Sequence, residues 1–151
     1  MLKNKKKFKV FIAGVMQGSR RDGKIFSQRY RSEITRILSR WNNNLEVVDP
    51  DKTDPDRLFY NKRQARKMFF DYCDHVRKVD LVVSFLPKAS MGTGIEMWEA
   101  YHAKVPIISI SPMKTNWVIK LLSNKVYGRI KDFRRDLENE QSELNKILSR
   151  S

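Results

Sequence analysis

Short apolar, β-branched runs alternate along this chain with longer amphipathic stretches, and no other feature constrains the fold as strongly. Such alternation is the pattern of βα units laid around a parallel sheet. Residues 7–13 read as a first strand, and 25–41 as a helix that carries Phe26, Tyr30, Ile34, Ile37, Leu38 and Trp41 near one face. A short strand follows at 45–48. The two Asp-Pro-Asp pieces at 49–51 and 54–56 interrupt regular structure, because a residue before proline is pushed out of the helical region, so 49–60 is expected to be a loop. The next helix keeps Ala65, Met68, Phe69, Tyr72, Val76 and Val79 at helical spacing until Asp80, where 81–85 switches to a buried strand. A helix at 95–103, a strand at 105–110, a helix at 115–123, an edge strand at 126–130 and a closing helix at 132–148 complete the series. The expected fold is α/β: one domain over 1–151, a flavodoxin-like (Rossmann-like) open sheet of four to five mostly parallel strands with helices on both faces.

A chain of 151 residues suits one core, and no apolar stretch approaches the ~20 residues of a membrane span, so a soluble protein is expected. Five lysines among the first nine residues precede the apolar run 10–16. That run is too short for a signal peptide and leads into Gln17-Gly18-Ser19-Arg20 rather than a small-residue cleavage site. The single cysteine, Cys73, excludes an internal disulfide framework and a cysteine-based zinc site, which points to a cytoplasmic setting. The net charge of +14 would suit a nucleic-acid binder. Its cations, however, are scattered, without an aromatic-interleaved stripe or a recognised RNA- or DNA-binding motif, so nucleic acid is a less favoured partner than a small anionic substrate.

In open α/β sheets ligands bind beyond the C-terminal strand ends, near the switch point of strand order. Two glycine-bearing loops leave strands there: Gly14, Gly18 and Gly23 after the first, Gly92 and Gly94 after the third. Residues 14–22 match neither a phosphate-binding P-loop nor a dinucleotide fingerprint, yet Gln17, Ser19, Arg20 and Arg21 on this loop suit phosphate or sugar oxygens. On the second loop Glu96 falls in the first turn of a helix, and Thr93-x-x-Glu96 also reads as a capping box. The only histidines, His75 and His102, lie on separate helices, so neither a Ser-His-Asp triad nor a histidine metal site is supported.

Together these pieces resemble the nucleoside 2-deoxyribosyltransferase family, including its branch of 2'-deoxynucleoside 5'-monophosphate N-hydrolases, from Val10 to about Lys131. Phe11-Ile12-Ala13-Gly14 with 18–22 is similar to the family's first loop, and Asp80-Leu81-Val82-Val83 to its central strand. Ser90-Met91-Gly92-Thr93-Gly94-Ile95-Glu96-Met97-Trp98-Glu99-Ala100, followed by Val105-Pro106-Ile107-Ile108, resembles the stretch that holds the family's catalytic glutamate. The resemblance implies an enzyme without metal or organic cofactor that cleaves the N-glycosidic bond of a (deoxy)nucleoside 5'-monophosphate. Glu96 would form a covalent glycosyl ester, retaining configuration. Exchange of bases between deoxyribosides is the alternative, and a non-catalytic, basic nucleotide- or nucleic-acid-binding protein the rival from another class.

The family's aspartate that serves the leaving base falls at Tyr72, with Asp71 adjacent. A tyrosine that orients the nucleophile is Phe11 here, and an arginine that grips phosphate aligns with Gln17, which leaves that task to Arg20, Arg21 and backbone N–H groups. Ser90 stands where free-nucleoside transferases carry an aspartate and monophosphate hydrolases a serine. Asn116 occupies the place of a residue that completes a neighbouring subunit's pocket, so a homodimer or higher oligomer is expected; its bland alternative is a helix cap.

Overall fold

A computed structural model describes residues 5–150; Lys3 of the basic N-terminal run and the two ends of the expected 1–151 domain lie outside the described residues. The elements follow as β1 (Phe8–Gly14), α1 (Arg29–Trp41), β2 (Leu45–Val48), α2 (Pro50–Thr53), α3 (Lys62–Val76), β3 (Leu81–Phe85), α4 (Met91–His102), β4 (Ile107–Ile110), α5 (Trp117–Leu122), β5 (Lys125–Tyr127), α6 (Ile130–Glu138) and α7 (Glu143–Ser149). The five strands form one all-parallel sheet in the order β2-β1-β3-β4-β5. Crossovers from β1 to β2 and from β1's other edge to β3 run in opposite directions, so the switch point lies between β1 and β3.

The period-two alternation of β1 divides the core. Val10 and Ile12 join Ile34, Leu38, Phe133 and Leu144 under α1, α6 and α7. Phe11 and Ala13 join Tyr72, Val76, Met97 and Ile119 under α3, α4 and α5. Both faces of the central strands are thus covered, which is why β3 and β4 read as nearly continuous apolar runs. Among the described residues no helix is long and apolar enough to cross a membrane.

Four sequence expectations are corrected by local hydrogen bonding. The helix expected from residue 25 begins at Arg29, because Phe26 N–H is spent on Met16 O (2.7 Å) and the Gln28 amide on Val15 O and Phe26 O (3.0 and 2.9 Å). The expected loop 49–60 contains α2, capped by Asp49, and a single 3-10 turn at Arg57–Phe59. Proline at the first position of α2 starts a helix rather than breaking one. The helix expected from residue 95 begins at Met91: Ser90 is its cap and accepts from Thr93 N–H (3.3 Å), so the Thr93-x-x-Glu96 capping box does not form and Gly92 and Gly94 are helical. The closing helix is two helices, α6 and α7, broken at Asn139 and restarted by the Ser142 cap.

Candidate functional site

A cavity of about 480 Å³ opens beyond the C-terminal ends of β1 and β3, at the switch point. Its walls come from the loop after β1 (Gly14, Met16, Gln17, Gly18), from α3 (Met68, Phe69, Tyr72, Cys73) and from the start of α4 (Ser90, Met91, Gly92, Thr93, Ile95, Glu96). Arg31 of α1, Pro50 and Arg57 close the remaining side.

The loop after β1 is shaped by close approaches. A Cβ on Gly14 would lie 2.2 Å from the Tyr30 hydroxyl oxygen, so only glycine lets the Tyr30 ring cover the strand end. Gly18 has φ of +55°, in the left-handed region that favours glycine. Gly23 also has positive φ but stands in open space.

Glu96 is partly buried and lines the cavity from the second turn of α4, not the first turn expected from the sequence, because the helix starts at Met91. Desolvation lifts its pKa from the ordinary 4.5 to about 7, and the Arg31 guanidinium pulls in the opposite direction. Arg31 is 2% exposed and held through two of its nitrogens: Nε donates to Gln28 Oε1 (2.7 Å), and Nη1 to Ile12 O (2.6 Å) and Asp49 Oδ1 (3.2 Å). Arg57 is the second cation on the cavity; Nη2 meets Asp51 Oδ1 (2.5 Å), Nη1 meets Asp54 O (3.0 Å), and its buried Nε has no acceptor. Burial also raises the Tyr30 phenol to about 12, with Glu96 adding a smaller upward push.

Several residues expected at the site share this cavity: Glu96, Tyr72, Gly14, Gln17, Gly18, Ser90 and Gly92. The Tyr72 hydroxyl donates to Asp54 Oδ2, and the other carboxylate oxygen accepts from Tyr60 (2.6 Å). Burial, followed by this bond to a carboxylate, holds the Tyr72 phenol above its ordinary pKa. Ser90 Oγ accepts from Thr93 N–H and from Thr93 Oγ1 (3.1 Å), bonds that do not consume its own hydrogen.

Other expected residues lie elsewhere. Asp71, one helical step from Tyr72, is on the outer side of α3 and paired with Lys67. Arg20 is turned to Asp22 (2.6 Å) and lies over the Phe26 ring; neither it nor Arg21 nor Ser19 lines the cavity. Gly94 faces α5 instead, 3.9 Å from Val118 Cγ1 at its Cβ position. Asn116 caps α5 by accepting from Val118 and Ile119 N–H (3.1 and 3.4 Å) and is exposed, away from the cavity of its own chain. The sequence reading missed Arg31, Arg57 and Asp54. Arg31 carried a signal, since it is a cation flanked by the core positions Tyr30 and Ile34 on α1; Arg57 and Asp54 sit in a segment read as loop. Among the described residues no cluster of three or more His, Cys, Asp or Glu side chains is arranged to hold a metal ion.

No known family profile matches the chain, and no curated protein matches its sequence. Solved structures do resemble it. A 2-deoxyribosyltransferase from the psychrotolerant bacterium Bacillus psychrosaccharolyticus superposes with a TM-score of 0.67 at 16% identity, over 92% of this chain and 95% of that one. A conserved protein from Enterococcus faecalis V583 superposes with a TM-score of 0.62 at 15% identity, over 89% and 99%. At these identities the likeness is one of fold, and it extends over most of the chain.

The raised Glu96 pKa has a consequence for stability. Between pH 4.5 and about 7 the folded chain holds a proton on Glu96 that the unfolded chain has lost, so this group lowers stability as pH rises through that window. Glu96→Gln should therefore match the wild type in urea unfolding near about pH 4 and exceed it by up to roughly 3 kcal/mol near about pH 8. Equal stability at both pH values would mean that the carboxyl is not desolvated.

Proposed function

We propose that this protein cleaves the N-glycosidic bond of a (deoxy)nucleoside 5'-monophosphate, with Glu96 as the nucleophile. The observation that carries the reading is a carboxylate lining a cavity at the sheet's switch point, where desolvation pushes its pKa up to about 7. At neutral pH a substantial fraction of Glu96 is ionised and poorly solvated, a combination suited to attack at an anomeric carbon. Its oxygen would form an ester to C1' as the C1'–N bond breaks through an oxocarbenium-like transition state, the bonding pair leaving with the base, which takes a proton from water. Water would then attack C1' and release Glu96. Fold likeness to a 2-deoxyribosyltransferase supports the same first half-reaction.

Tyr72 lines the cavity and Asp71 does not, which supports Tyr72 over Asp71 as the residue of α3 that meets the departing base. Its phenol keeps its proton through neutral pH and can act as a hydrogen-bonding partner rather than as a strong acid. For the 5'-phosphate, the Ser90 hydroxyl, the N–H groups opening the 12-residue α4 and the Arg57 guanidinium, whose Nε has no acceptor, supply the donors. The second reading is transfer of the sugar to another base, favoured by the placement of Arg20 and Arg21 outside the cavity, which removes two cations expected to grip phosphate.

Assembly supports either reading. Among the described residues every exposed large apolar side chain lies between Leu58 and Leu121, and those of α4 and α5 include Ile95, Trp98, Tyr101, Trp117, Val118 and Leu121. The opposite layer of α1, α6 and α7 has none. A second copy seated on α4 and α5 would bury this face, next to which Asn116 stands as the exposed cap of α5.

Glu96→Ala should abolish base release by at least ~10³-fold, about 4 kcal/mol of barrier, while the protein stays folded. Retained release from a panel of nucleosides and nucleotides would reject the covalent role. Ser90→Asp keeps a good helix cap but sets a negative charge against phosphate, so it should erase most of a preference for monophosphate over nucleoside of roughly 10² in kcat/KM. A wild type that prefers the free nucleoside would move the reading to base transfer. In sedimentation the active species should be at least a dimer, and Trp98→Glu should yield folded, inactive monomers; a fully active monomer at assay concentration would rule this assembly out.

A further inference from the structure

Phe11 presents no polar atom to the cavity, and among the described residues Glu96 is held by no hydrogen bond from β1 or β3. The charge that could steady it comes from the other side of the sheet. We propose that Arg31, anchored by Gln28, the Ile12 carbonyl and Asp49, is the positioning residue that keeps Glu96 ionised for attack; this rests on the reading of Glu96 as nucleophile.

Three independent observations meet at Arg31. It is 2% exposed yet lines the same cavity as Glu96, so its charge acts across protein and cavity rather than through bulk water. It cannot swing away. Gln28 accepts from Nε while its own amide hydrogens hold Val15 O and Phe26 O, so the anchor is itself fixed to the loop after β1. Asp49, the counter-charge, turns one oxygen to Arg31 and to Asp51 N–H (3.0 Å), and its second oxygen is buried without a partner. A surface arginine would need none of this construction, and a purely structural one would not need to face the cavity.

The other charged and titratable groups around Glu96 do not supply the same effect. Tyr30 of α1 and Tyr72 and Cys73 of α3 are all pushed toward their neutral forms by burial. Asp49 and Asp51, from the segment after β2, are carboxyl groups that cannot favour a second carboxylate, and Arg57, paired with Asp51 and Asp54 O, is not among the influences acting on Glu96. Glu99, one turn further along α4, is tied to Arg77 (2.6 Å). Of the influences acting on Glu96, the pull that favours the carboxylate comes from Arg31.

The test is the titration of the Glu96 carboxyl, read by carbon-13 NMR with Glu96→Gln as the assignment control, beside the pH profile of kcat/KM. Arg31→Gln alone would strand the Asp49 carboxylate, so the informative variant is Arg31→Gln with Asp49→Asn, which removes both charges and keeps amide hydrogen bonding. The Glu96 midpoint and the acid limb of the profile should both rise by at least about one pH unit in the double variant. Arg31→Lys, which keeps the charge and loses the fork, should hold the midpoint within about half a unit of the wild type. An unchanged midpoint in the double variant overturns the proposal, even if activity falls, because a structural anchor lowers kcat without moving a titration. A Lys variant whose midpoint rises fully by about one unit also overturns it. Should the double variant fail to fold, the Lys variant and Asp49→Asn decide: strengthening Arg31's field by neutralising Asp49 should lower the midpoint, and no change counts against the role. If the wild type releases no base but the midpoint still moves, the nucleophile reading fails while the coupling of Arg31 to Glu96 stands.

Discussion

A guanidinium that is 2% exposed must have its charge and its donors met inside the protein, and the rim of this sheet is organised around that requirement at Arg31. The partners come from three separate pieces of chain: the end of β1 through Ile12 O, the entry to α1 through Gln28, and the start of α2 through Asp49. Asp49 is at once the counter-charge and the cap of α2, so the α2 segment is placed by the same carboxylate that balances Arg31. Breaking one side of such a pair typically costs about 3–5 kcal/mol, because the other charge is left buried and alone. Around this anchor the glycine loop folds back through Phe26 N–H to Met16 O, and the cavity acquires its floor.

The sequence made the layers legible because burial acts on residue type at a fixed period. Strands buried on both faces, such as 81–85, and helices with one apolar stripe, such as α1, are written in local composition. Element starts were less legible, since they are decided by single hydrogen bonds. Ser90 competes with Thr93 for the cap of α4, and the winner depends on whether the chain leaving β3 reaches helical geometry at Met91 or four residues later. Ser90 wins, and Thr93 becomes its donor. Around the cavity Glu96, Tyr72, Ser90 and the first-loop glycines could be named from motif and spacing. Arg31, Arg57 and Asp54 could not, because each matters through a contact with a segment distant in sequence or in a stretch with no periodicity.

The two helical layers differ in a way that composition conceals. Both bury a comparable set of apolar side chains against the sheet, but only α3, α4 and α5 carry large apolar residues on their outer faces. Trp98 and Tyr101 lie nearly parallel with ring centroids 6.2 Å apart, and Trp98 meets His102 at 4.3 Å, so this surface is an organised aromatic ridge rather than scattered exposure. Helix α4 thus has two loaded faces, with Met97 and Ala100 in the core, the ridge outside, and Glu96 between them at the cavity. Any partner seated on the ridge would press on the helix that positions Glu96, which links assembly to the site through one rigid element.

The pair Phe11 and Tyr72 shows how this cavity distributes negative charge. The rings meet edge to face with centroids 5.8 Å apart, so a hydroxyl is present on α3 and absent from β1. Behind Tyr72 the Asp54 carboxylate accepts from two phenols, Tyr72 and Tyr60, and does not line the cavity. The cavity therefore presents a phenol oxygen on α3 and not a carboxylate, and Glu96 is spared a second anion in its lining. Two carboxylates sharing a poorly solvated site raise each other's pKa, and desolvation, against the opposing pull of Arg31, already lifts Glu96 to about 7. With the second carboxylate withdrawn behind Tyr72, one fixed cation across the cavity is enough to hold Glu96 within reach of ionisation at neutral pH. The phenol of Tyr72 and the buried Arg31, both lining the cavity, are in this sense two halves of one electrostatic arrangement.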